Sequence, residues 1–177
     1  MESKPAVPEY DHTLVGVHNR LFFRLFQVGN VFQKQTAKQL GITTVQWAVL
    51  GALTRPQAST GMSVTELAEF LVVSRQNLDG VLTRLERDQH VSRVADTVDR
   101  RSKRVQVTAQ GALFWEQLQP RIYEFYRQAI TNFRFDDKVS FVHFLNKLQD
   151  DLKQVDLDHT HGPANGTPAG APDADAA

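Results

Sequence analysis

Apolar residues recur at helical spacing from early in the chain. Leu14, Val17, Leu21, Leu25, Val28 and Phe32 fall on one stripe, with His18 among them. That spacing predicts a long amphipathic helix over roughly residues 13–39, closed by Gly41. Thr43 and Gln46 then have capping-box spacing and open a short helix carrying Val49, Leu50 and Leu53, ended by Arg55 and Pro56. Ser63 and Glu66 repeat the signature, and the next helix turns Leu67, Ala68 and Leu71 inward. Only Val72 and Val73 separate it from Ser74, a third N-cap, after which Leu78, Val81, Leu82 and Leu85 make a clean apolar face. Two capped helices joined by so brief a turn are the helix-turn-helix pattern.

After Gln89 and His90 the period changes. Val91–Val94 and Arg104–Val107 are short and β-branched around a loop of Asp, Thr and Arg, which predicts an antiparallel hairpin with a charged tip, a wing. Thr108 caps a long helix running to about Phe133, and a last helix over roughly residues 136–155 carries Val139, Val142, Leu145, Leu148 and Leu152. The expected class is mainly α: a winged helix-turn-helix with a small β-hairpin wing, and N- and C-terminal helices forming a dimerisation region. The expected organisation is a flexible arm over 1–12, dimerisation helices over 13–42 and 109–155, and a DNA-binding domain over 43–108. From 156 to 177 the chain turns to Pro, Gly, Ala and Asp, which cannot bury enough surface to offset ordering entropy; a disordered tail is expected.

Composition changes this picture little. Without cysteine the chain has no disulfide, thiolate zinc site or thiol redox sensor. No apolar run approaches the roughly 20 residues of a membrane span, and the N-terminus lacks a signal-peptide core, so a cytoplasmic address and no membrane partner are expected. Formal net charge is zero, yet residues 84–104 hold seven basic against four acidic residues. This is either a nucleic-acid patch or an ordinary solvated face. The terminal helices carry more aromatics, Phe22, Phe23, Phe26, Phe141 and Phe144 among them, than one small core holds. Either a second chain covers them, making a homodimer, or they pack on the DNA-binding part.

Several local motifs resemble the MarR family of bacterial regulators. Residues 44–50 look like the family's second helix, and Val64 to Arg93 like its helix-turn-helix running into the wing. Asp96-Thr97-Val98-Asp99-Arg100-Arg101 is similar to the wing tip, and Val107-Thr108-Ala109-Gln110-Gly111 to the step into the fifth helix. The match spans about residues 13–153. Two departures stand out: Gln89 occupies the place of a helix-ending glycine, and His90 a place usually apolar. Without that glycine the helix is expected to end differently and to tilt the wing. Asp79 and Gly80 stand where relatives commonly have hydroxyl and basic residues.

With Leu78, Val81, Leu82 and Leu85 inward, Gln76, Asn77, Gly80, Thr83, Arg84 and Arg87 face out. Gln and Asn can bond bidentately to adenine in the major groove. Arg75, Arg84 and Arg87 suit phosphates, which fix register without reading sequence, and Ser74 at the helix start is a further candidate DNA contact. Gly80 sacrifices helix propensity of about 1 kcal/mol, either for close approach to a groove wall or through tolerance in a packed helix. The resemblance implies that Arg101 enters the minor groove with Asp99 holding it; Arg100 and Lys103, part of the local basic surplus, are candidate DNA contacts as well. The alternative for Asp99 and Arg101 is a surface ion pair of little worth. A two-fold dimer implies a pseudo-palindromic operator in duplex DNA.

Relatives often release DNA on binding small anionic aromatics between the two lobes. His18, Arg24 and Trp47 are the residues this suggests for an aromatic carboxylate linked to aromatic-compound catabolism, most simply with a repressor as the outcome. Each also reads as plain structure: a core histidine, a cross-dimer pair, a core tryptophan. No phosphate loop, paired carboxylates or nucleophile elbow points to an enzyme, no cofactor is implied, and His159 with His161 lacks the further ligands of a metal site. The other class that fits is a winged-helix module for protein–protein contact, which needs neither base-reading residues on the second helix nor arginines at the wing tip.

Overall fold

The computed structural model describes residues 12–96 and 103–157. The chain divides into two compact units, Met1–Ala129 and Ile130–Ala177.

In the first unit, α1 (His12–Leu40) ends where Gly41 adopts a left-handed φ of 74° and its N–H reaches the Ala37 carbonyl. The capping box of Thr43 and Gln46 opens α2 (Thr44–Leu53), with both reciprocal hydrogen bonds formed at 2.9 and 3.2 Å. A 3-10 turn at Pro56–Ala58 leads to β1 (Met62–Ser63). Ser63 and Glu66 form the second capping box, which starts α3 (Val64–Leu71). The Ser63 backbone N–H and hydroxyl hold the Glu66 carboxyl below its ordinary pKa. Val72 then takes a left-handed φ of 54°, a strained choice for a β-branched residue, and so makes the abrupt turn into α4 (Arg75–Arg87), capped by Ser74.

The wing is larger than the two-stranded hairpin read from sequence. β2 (Val91–Ala95) and β3 (Lys103–Val107) pair antiparallel, and β1 joins on the other side of β3, giving a three-stranded sheet ordered β1-β3-β2. Arg104 secures the added strand: its guanidinium donates to the Thr60 carbonyl at 3.2 Å, the Gly61 carbonyl at 2.5 Å and Asp96 at 3.2 Å. Gly61 is needed there, with φ at 80° and a Cβ at that position falling 2.6 Å from the Val105 carbonyl oxygen.

α5 (Ala109–Ala129) begins at Thr108 as expected but stops short of Phe133; Ile130–Phe133 leave the helix although their apolar spacing continues it. The main core joins α2, α3, α4 and the sheet through Leu50, Leu67, Leu78, Leu82, Leu85 and Val105. A second cluster, Leu40, Ile42, Leu118 and Ile122, ties the end of α1 to α5. In the second unit, α6 (Phe135–Lys153) buries no residue, and Phe133 lays its ring against Phe141 at 6.0 Å. Among the described residues no helix is long and apolar enough to cross a membrane.

Candidate nucleic-acid interface

α4 is amphipathic in the way its sequence dictates. Leu78, Leu82 and Leu85 are buried, while Ser74, Arg75, Gln76, Asn77, Gly80, Thr83 and Arg84 are exposed. Gln76, Gly80, Thr83 and Arg87 succeed one another at i, i+4, i+7 and i+11 and form one outward ridge. Its middle is thin: a Cβ added at Gly80 would meet nothing within 4 Å, and the Thr83 hydroxyl donates back to the Asp79 carbonyl at 2.9 Å. Packing within the chain therefore gives no reason for the glycine.

One flank of the ridge carries Asn77 and Arg84, the other Asp79 and Glu86. Among the described residues neither Arg75 nor Arg84 has a side-chain hydrogen bond or ion pair, so both cations are available to phosphates. Arg87 pairs with Asp88 at 3.0 Å. The acidic flank meets the wing, where Arg93 of β2 donates to Asp79 at 2.6 Å and stands 3.6 Å from Glu86.

The basic run is thus not one solvated patch. Arg93 and Arg104 are both spent on contacts within the chain, and neither was singled out from sequence. The signal was present for Arg93, since strand alternation puts it on the same face as the buried Val91 and opposite the buried Val105. Lys103 is exposed at the start of β3, facing Ala95 across the ladder. Asp99, Arg100 and Arg101 lie outside the described residues, as do His159 and His161.

The junction behind the interface departs from expectation at Gln89. That residue supplies the left-handed turn itself, at φ 60°, and the His90 N–H reaches back to the Leu85 carbonyl at 2.8 Å, so the helix end keeps its usual form without glycine. His90 stacks on Phe114 of α5 with ring centroids 4.1 Å apart, which accounts for a polar residue in an apolar place. The Thr108 hydroxyl donates to the Gln89 carbonyl at 2.5 Å and accepts from the Gly111 N–H at 2.9 Å.

The residues suggested for a ligand are not gathered in one chain. Trp47 is half-buried among aromatics, 5.4 Å from the Phe32 ring and 5.7 Å from Tyr126, whose phenol burial pushes above its ordinary pKa. His18 is exposed rather than inward, and Arg24 is exposed with a hydrogen bond to Gln27 at 3.2 Å. Along the continuous α1, His18 precedes Phe32 by about 21 Å and Arg24 precedes it by about 12 Å at 1.5 Å per residue.

Comparison with known proteins adds an independent line. A sequence model described as MarR family matches residues 40–102. The transcriptional activatory protein BadR of Rhodopseudomonas palustris is 47% identical over 142 residues, 78% of this chain and 81% of that protein. The homoprotocatechuate degradative operon repressor of Escherichia coli is 28% identical, covering 75% of this chain and 89% of its own length. Among solved structures, a probable transcriptional regulator from Pseudomonas aeruginosa superposes with a TM-score of 0.67 at 24% identity, over 75% of this chain and 98% of that one.

Proposed function

The chain belongs to the MarR family of winged-helix transcription regulators, and from that premise we propose that it binds duplex DNA as a homodimer and answers to a small aromatic acid. The observation that carries the DNA reading is the ridge of α4, held out by two helix caps, with Gln76 and Asn77 free to meet base edges and Arg75 and Arg84 free to meet phosphates. In this reading Arg101 enters the minor groove, steadied by Asp99, with Arg100 and Lys103 adding phosphate contacts. The protein is a cytoplasmic regulator with no catalytic step.

Dimerisation is supported by what a single chain leaves bare. On α1, Leu21, Phe22, Phe26 and Val28 are all exposed, Phe26 by 65%, and on α6 Phe141, Val142 and Phe144 are exposed as well. Leu21 and Val28 lie on one stripe and Phe22 and Phe26 on the next, an apolar arc wider than a single helix seam. A second copy is the covering that also yields two recognition helices about one DNA turn apart.

Footprinting on the DNA upstream of the protein's own gene, across a salt series, tests this reading. A symmetric protected site whose affinity falls steeply with salt is expected, since several phosphates are neutralised. Protection absent even at low salt would favour a protein-contact module instead. The sign of regulation follows from transcription at the same promoter. The relative named an activatory protein, at 47% identity, favours activation over the simple repression that the family resemblance suggests.

For the effector, support comes from the Phe32–Trp47–Tyr126 cluster, an aromatic wall beside the α1–α5 contact, and from a relative named for the control of homoprotocatechuate degradation. In this reading the cation for the carboxylate is Arg24 or His18, which the span of α1 keeps from Trp47 within one chain, so the pocket depends on dimerisation to complete it. Calorimetry with a panel of benzoates and hydroxybenzoates is expected to give heat that Trp47→Ala abolishes. No heat from any of them removes the pocket.

A further inference from the structure

Two carboxylates on a recognition helix are an electrostatic cost. Asp79 and Glu86 sit seven residues apart on one flank of α4, and each would repel the phosphates that Arg75 and Arg84 attract. Arg93 reaches both from the middle of β2. Its Nη2 donates to Asp79 Oδ1 at 2.6 Å, its Nε lies 3.6 Å from Glu86 Oε2, and its side chain is only 22% exposed. That Nε is buried with no hydrogen-bond partner among the described residues, so the guanidinium is committed to the Asp79 side rather than shared evenly. The base of the sheet is already seated on the core through Val91 and Val105 and held on its far side by β1 and Arg104, so the short Asp88–His90 turn is not its only tie to the rest of the chain. To that packing the Arg93–Asp79 bond adds a polar tie between β2 and the outer flank of α4, near the middle of the helix.

We propose that Arg93 and Asp79 are positioning residues whose ion pair fixes the angle between the recognition helix and the wing, so that one enters the major groove while the other reaches its own contacts. The proposal rests on the DNA-binding reading above. It assigns the acidic residue at 79, unusual on such a helix, a role opposite in sign to the one its charge suggests.

That difference in sign makes the test. By charge alone, Asp79→Ala removes a repulsion and should tighten binding and leave the salt slope as steep or steeper. If the pair sets the angle, Asp79→Ala binds the protected upstream duplex roughly three- to tenfold more weakly, because the pair's coupling is lost. The slope of log affinity against log salt also becomes shallower by about 1, as a wing out of register gives up a phosphate. Asp79→Glu, which can still reach Arg93, is expected to bind like the wild type. Asp79 is exposed, so both variants should fold, and thermal denaturation confirms it. Unchanged or tighter binding by Asp79→Ala overturns the proposal, as does weaker binding with an unchanged slope. An Asp79→Glu variant as weak as Asp79→Ala overturns it too, because pairing would then not be what matters. Failure of the wild-type chain to bind either the upstream DNA or a random 30-base-pair duplex overturns the DNA reading itself.

Discussion

Gly111→Ala is expected to lower stability by about 2–3 kcal/mol, the cost of overpacking a rigid site. The melting temperature should fall by roughly 5–10 °C for a chain of this size. An alanine inside α5 would ordinarily help, since glycine is the poorer helix former by about 1 kcal/mol. Here the sign is reversed by backbone. The added Cβ would come within 2.7 Å of the His90 carbonyl carbon and 2.9 Å of its Cα, and the carbonyl oxygen is closer still. None of these atoms can turn aside as a side chain could. The His90 carbonyl accepts from the Thr108 N–H at 3.1 Å, its ring is stacked on Phe114, and its N–H closes the end of α4. Relief would have to move the recognition helix, the wing or α5. The same variant should therefore lose DNA affinity even at temperatures where it is folded. Calorimetric melting with a duplex titration checks both effects, and an unchanged melting temperature would show that the junction yields.

This junction also shows why some of the molecule was legible in the sequence and some was not. Thr108 and Gly111 stand three residues apart, and their hydrogen bond is local, so the start of α5 could be read from spacing. The caps at Thr43, Ser63 and Ser74 were legible for the same reason: each depends on a partner within one turn. β1 was not. Met62 and Ser63 have no strand signal of their own, and their pairing depends on Arg104 reaching the Thr60 and Gly61 carbonyls from more than forty residues away. Gln89 illustrates a different gap. A left-handed residue is demanded by the geometry of the turn, and a glutamine supplies it at some cost in strain, so the missing glycine did not mean a missing turn.

The candidate site divides in the same way. The outward face of α4 followed directly from the helical period. The charge of the wing did not, because counting arginines treats Arg93 and Arg104 as equivalent to Lys103, whereas the fold turns the first two onto carboxylates and carbonyls. Periodicity on α1 was read correctly as an apolar stripe, but a stripe says only that something covers it. In the chain by itself that stripe, His18 included, faces solvent, so placing His18 in a pocket with Trp47 depended on a neighbour that period alone does not identify.

Gly80→Ala should separate stability from binding most sharply. The added methyl meets nothing within 4 Å in the free protein, so the helix gains the propensity of alanine without a clash. Stability is expected to rise by up to about 1 kcal/mol, worth roughly 2–4 °C in melting temperature. DNA affinity is expected to move the other way. Gly80 stands in the middle of the ridge between Gln76 and Thr83, where closest approach to the groove wall falls if Gln76 and Asn77 are to reach base edges. A methyl inserted into a close-packed contact costs about 1–3 kcal/mol, which weakens binding roughly 5- to 150-fold. A thermal melt and a duplex titration on one preparation give both numbers. If the variant melts higher and binds as before, Gly80 is merely tolerated and α4 does not press into the groove at its centre. If it melts higher and binds worse, the glycine is explained by the DNA alone, because the free chain gives it no contact to make.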